Sequence, residues 1–231
     1  MIESTPKHKC SFCGREFVRE RTLISHMCEM KRRFFNKNEK YVIFGYNAWK
    51  TFYIMTGSAK TVNLTYKDFM ESKYYLAFTK FGKHIIDINM VNPELFIRFV
   101  IKNHIKLDDW CKDSVYAEYV KDVCRREDVN TAMERQIKMI TKWADETNED
   151  WRDFFSKVEP GTAYKWIMAG RLSPWLLLNS KSAEKNLFPR FSDEQLAHIV
   201  NFFNMDYWKV RMAHDEEDTK FVKNILEDCG L

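Results

Sequence analysis

Cys10 and Cys13 are separated by two residues, and His26 and Cys28 by one. The full spacing is Cys10-x2-Cys13-x3-Phe17-x5-Leu23-x2-His26-x-Cys28. Two thiolates on a tight knuckle and an imidazole from a following helix can meet one Zn²⁺ tetrahedrally. Phe17 and Leu23 occupy the two apolar positions such a unit needs. A unit of about twenty-five residues buries too little surface to fold alone, so the metal supplies its folding energy. The usual second ligand pair has about three to five residues between its members. Here Cys28 is the fourth ligand, and His-x-Cys closes the site if the helix ends there. The alternative is two thiols that lie close by chance in a reducing compartment.

The spacing predicts a ββα zinc finger over residues 1–33. Lys9 to Cys13 and Glu16 to Val18 form the two short strands, and Glu20 to about His26 the helix. That helix carries Glu20, Arg21, Thr22 and Ser25, with Arg19 just before it. Reading bases takes side chains aimed into the major groove, about three base pairs per finger, so one finger has little sequence specificity. The run Glu29-Met30-Lys31-Arg32-Arg33-Phe34-Phe35 is either a phosphate contact without sequence preference or a solvated linker.

Charge divides the remainder. Residues 1–106 carry 19 Lys and Arg against 9 Asp and Glu, and residues 107–231 carry 18 against 24. The halves therefore suit two different partners, a polyanion for the first and something else for the second. A basic subdomain is expected over 34–106 and an acidic one over 107–231. Between Lys31 and Lys83 there are 11 basic and 3 acidic residues, interleaved with aromatic rings. Cations that follow a backbone while bases stack on rings are the logic of single-strand binding. Helical spacing makes most of these rings core, so the candidate DNA contacts are Lys31, Arg32, Arg33, Lys37, Lys67, Lys73, Lys80 and Lys83.

The body reads as all-helical, so the fold class is mostly α: a small ββα finger followed by two helical subdomains. Helices are expected from Asn47, as N-cap, to Met55; from Thr65 to Gly82; from Asn92-Pro93 to about Asn103; over Asp113–Arg126; and over Thr131–Glu146. Further helices follow at 151–155, from Gly161-Thr162 to Met168, from Ser173-Pro174, from the Ser192–Gln195 capping box to Phe203, and over about Asp215–Glu227. Ile85–Met90 continues the preceding helix or is a short extended piece. The 45% apolar and 15% aromatic content can fill a core, and 7 Gly and 5 Pro exclude long low-complexity tracts. No apolar window reaches about eighteen residues, so no membrane partner is expected. Met1–Pro6 has no charged-then-apolar leader, and Cys111, Cys124 and Cys229 are scattered singly, which fits a reducing, intracellular setting.

Signs of catalysis are sparse. There is no phosphate loop, no Gly-x-Ser-x-Gly and no His-Glu-x-x-His. His84, His104, His198 and His214 read as structural. Asp108-Asp109 and Asp215–Asp218 are paired acids of the kind two-metal nucleases use, but acids at a helix start equally complement its dipole. Thr162–Pro174 reads as a helical hairpin. Its other reading is the end of a helix-turn-helix DNA reader, with Lys165 and Arg171 facing the duplex.

Short stretches resemble the replicative helicase loader of T-even-type phages. They are Ala48–Met55, Lys73–Phe78, Leu95–Asn103, Trp110, Tyr116–Tyr119, Tyr164–Ile167, Leu172-Ser173 and Leu176–Asn179. The finger departs from that family's pattern and reads as an added DNA-contacting module. The resemblance implies an all-helical, non-enzymatic DNA-replication accessory protein in the cytoplasm of an infected host cell. It would hold forked or single-stranded DNA with its basic half. Its acidic half would be presented to the replicative helicase or to a single-strand-binding protein. A phage zinc-finger transcription regulator that touches duplex DNA and RNA polymerase is the alternative, and a nuclease with an unrecognised metal centre a third reading.

Overall fold

The computed structural model describes residues 8–57 and 64–231. The Met1–Pro6 stretch lies outside them. The fold is mostly α, with one two-stranded sheet, and the chain forms two compact units, Met1–Cys111 and Lys112–Leu231.

The first unit opens with β1 (His8–Lys9) and β2 (Glu16–Phe17), antiparallel with His8 opposite Phe17 and Lys9 opposite Glu16. Next come α1 (Glu20–Ser25) and α2 (Glu29–Phe35). The ββα reading of the finger is therefore the one observed, with strands shorter than the sequence suggests. The post-finger run is not a solvated linker but helix α2.

Then follow α3 (Lys40–Met55), α4 (Tyr66–Glu71), α5 (Tyr75–Asp87) and α6 (Pro93–Lys102). Asn47 is not an N-cap, because α3 begins seven residues earlier and Asn47 is an exposed interior position. Gly45 mimics a helix boundary, but it marks where α3 and α5 touch. A Cβ on Gly45 would lie 2.7 Å from the Phe78 carbonyl oxygen, and one on Gly82 would lie 2.0 Å from that of Tyr41. Only glycine lets the two backbones approach this closely.

The expected helix over 65–82 is two helices. Thr65 caps the first, as anticipated, in a capping box with Asp68. Ser72 then turns extended, and its hydroxyl accepts from the Tyr74 N–H at 3.1 Å. Local Ser hydrogen bonding thus competes with the helix ladder. Trp110 is fully buried and meets Phe78 and Phe81 edge-on at 5.8 and 5.2 Å, while its indole N–H donates to the Ile105 carbonyl at 3.1 Å. Of the rings in the basic segment, Trp49, Phe69, Tyr75, Phe78 and Phe81 are core, Phe34, Phe35, Phe44 and Tyr74 are exposed, and the rest are half-buried.

The second unit contains α7 (Asp113–Arg126), α8 (Val129–Thr147), α9 (Phe154–Lys157), α10 (Pro160–Met168), α11 (Pro174–Leu177), α12 (Asp193–Phe203), α13 (Met205–His214) and α14 (Glu216–Cys229). Ser173 and Ser192 cap α11 and α12 as their sequences indicate. Helix α13 carries no strong sequence signal, and Asn204, in the left-handed region, ends α12 and caps α13. A buried Glu127 accepts from Arg135, which also donates to the Gly170 and Arg171 carbonyls at 2.7 and 2.9 Å. Arg211 stacks on both Trp175 and Trp208, 4.9 and 5.1 Å from their centroids.

Candidate metal centre and basic face

The knuckle forms because the Cys10 N–H donates to the Arg15 carbonyl and the Gly14 N–H to that of Cys10, both at 2.9 Å. Gly14 closes the turn at φ +72°, where a side chain would be strained. This places Cys10 and Cys13 on one side of the loop. His26 ends α1, and its ring packs against Phe17 with centroids 4.8 Å apart. Cys28 is the N-cap of α2, and its Sγ accepts from the Lys31 N–H at 3.4 Å.

The four ligand atoms all lie within 4.8 Å of one another. Cys10 Sγ and Cys28 Sγ are 4.0 Å apart, and Cys13 Sγ and His26 Nε2 are 3.3 Å apart. A tetrahedral ion with bonds of about 2.0–2.3 Å needs ligand separations of about 3.3–3.8 Å, so this cluster can hold one metal ion after small adjustments. The backbone N–H groups of Cys13 and then Phe12 hold the Cys10 thiol below its ordinary range. Cys13 moves the other way. The Arg15 N–H favours its thiolate, but desolvation and the sulfurs of Cys10 and Cys28 together push the thiol up. Three sulfurs this close resist ionising together, and a cation relieves that repulsion.

Among the described residues no other three His, Cys, Asp or Glu side chains gather in this way. The acids at 215–218 do not form a second centre. Asp215 pairs with Arg211 at 3.4 Å and with His214 at 2.7 Å, and the hydrogen bond from His214 leads in holding its carboxyl below the usual range. In Thr162–Pro174, Lys165 is exposed on α10, Gly170 at φ +73° follows that helix, and all four residues of α11 are buried.

The eight basic candidates have different surroundings. Lys31 Nζ donates to the His26 carbonyl at 3.1 Å, which ties α2 to the finger. Arg33 is largely enclosed. It donates to the Met70 carbonyl at 2.8 Å and to Glu29 at 3.1 Å, and its guanidinium lies 4.4 Å from the Tyr75 ring centroid. Lys37 lies over Phe34 and Lys73 over Tyr74, at 5.0 and 4.9 Å, and Lys67 faces Glu71 at 4.0 Å. Arg32, Arg33, Lys80 and Lys83 converge on one groove of about 300 Å³, together with Tyr41 and Leu76. Two non-basic members were legible in principle: Leu76 and Thr79 share one stripe of α5 with Lys80 and Lys83 by i+3 and i+4 spacing.

No protein-family model, no curated protein and no solved structure matches this chain. No helix among the described residues is long and apolar enough to cross a membrane.

Proposed function

We propose that this protein is a zinc-binding accessory factor of phage DNA replication. In this reading the first unit holds forked or single-stranded DNA, and the second receives the replicative helicase or a single-strand-binding protein. The observation that carries it is the match between charge and architecture. Met1–Cys111 holds 19 basic against 11 acidic residues, and Lys112–Leu231 holds 18 against 22. Each structural unit has its own sign, as two different partners require.

Three thiolates and one imidazole at tetrahedral spacing suit zinc, whereas calcium and magnesium demand oxygen ligands. The short α1, six residues long, favours sequence-independent contact over base reading. The helix itself carries one cation, Arg21, with Arg19 just before it. Unwinding chemistry belongs to the helicase in this reading.

Mobility shifts on single-strand, duplex and forked DNA test the proposal. Preference for the fork or the single strand, whatever the sequence, is the expected result. A fixed duplex motif would replace the reading with a transcription regulator, and divalent-metal-dependent cleavage would replace it with a nuclease.

A further inference from the structure

We infer that the groove between α2 and α5 is a binding site for a nucleotide phosphate. This deepens the DNA-binding reading and rests on it. Arg32 and Arg33 come from α2, and Lys80 and Lys83 from successive turns of α5. The one acid in the lining, Glu29, is already shared by Arg32 at 3.4 Å and Arg33 at 3.1 Å. Four cations against one carboxylate leave the groove with a net charge of +3.

The two lysines are the available charges. Both are exposed, and no carboxylate among the described residues pairs with either. Lys83 Nζ rests 4.9 Å from the Tyr41 ring centroid, which steadies it without neutralising it. The Tyr41 hydroxyl accepts from Asn36 Nδ2 at 3.1 Å and keeps its own proton to donate to an anion. Burial holds the nearby Tyr75 phenol well above its usual range, so that ring stays neutral under Arg33.

The groove is not purely ionic. Leu76 is 63% exposed at its edge. A ligand with an anionic group and an apolar flank fits this lining better than inorganic phosphate does. A nucleotide has both, and it reaches the groove either as part of a strand or as a free mononucleotide.

The experiment uses the full chain with zinc and a fluorescein-labelled oligothymidine of about fifteen residues. Anisotropy is measured across a salt series for the wild type, for Lys80→Ala/Lys83→Ala, and for Lys142→Ala, an exposed lysine of the second unit. AMP serves as competitor. Two strand phosphates released from contact should lower the log–log salt slope by about 1.4 and weaken binding about tenfold near 0.1 M salt. Lys142→Ala should change neither. Strand binding by the wild type with an unchanged slope in the double variant overturns the groove and spares the DNA reading. If the wild type binds no strand, yet AMP raises its melting temperature and loses that effect in the double variant, the DNA reading fails and the site takes free nucleotides. No response to either probe overturns both.

Discussion

Cys28 does two jobs that a pair of substitutions can separate. Its sulfur completes the ligand cluster, 4.0 Å from Cys10 Sγ, and caps α2 by accepting from the Lys31 N–H at 3.4 Å. Cys28→Ser removes the thiolate but keeps a hydroxyl, a good N-cap. Cys28→Ala removes both. Exchanging a capping Ser for Ala costs about 1 kcal/mol, or about 4 °C in melting temperature for a unit of this size. In excess chelator, then, Cys28→Ala should melt about 4 °C below Cys28→Ser, and the wild type should sit close to Cys28→Ser. Added zinc should raise the wild type strongly, because apparent binding energies at such sites are about 10–16 kcal/mol at neutral pH. It should raise neither variant by a comparable amount. Circular dichroism melts and metal analysis of dialysed protein read both effects. One zinc per chain at wild-type affinity in Cys28→Ser would remove Cys28 from the ligand set. Equal melting of the two variants in chelator would remove it as a cap.

Gly82→Ala should destabilise the first unit, because its new methyl meets the Tyr41 carbonyl at 2.0 Å. Overpacking of about 1–3 kcal/mol or more outweighs the helix-propensity gain of about 1 kcal/mol, and a lower urea midpoint would show it. Glu127→Gln should destabilise the second unit by about 3 kcal/mol, since the partly enclosed Arg135 loses the carboxylate it pairs with. An unchanged midpoint would mean the two carbonyls alone suffice for Arg135.

The parts of the fold that could be read from the sequence were those fixed by short-range chemistry. The Cys and His spacing, the Thr65 and Ser192 capping boxes and the Ser173-Pro174 start depend on neighbours within a few residues. Positions set by distant partners were not readable. Gly45 and Asn47 resemble a helix boundary until α5 is laid across α3, and Ser72 hides its break inside an apolar period that runs through it. Arg33 reads as one more cation in a basic run, but the carbonyl that engages it belongs to Met70, thirty-seven residues away. The groove needed that same folding-back of α5 before its lysines and Arg32 could be seen together.

The anchoring of Arg33 sets how far the loss of the ion can spread. Helix α2 is attached at two places. Its start depends on the finger, through the Cys28 cap and the Lys31 tie to His26. Its later turn is clamped to Met70 and Tyr75 by contacts that involve no residue of the Cys and His cluster. Metal loss should therefore stop at this clamp: the segment from His8 to about Cys28 becomes a loose tether, while Arg32, Lys80 and Lys83 keep their places. Loss of the ion would thus leave the groove between α2 and α5 formed while the Cys and His cluster comes apart.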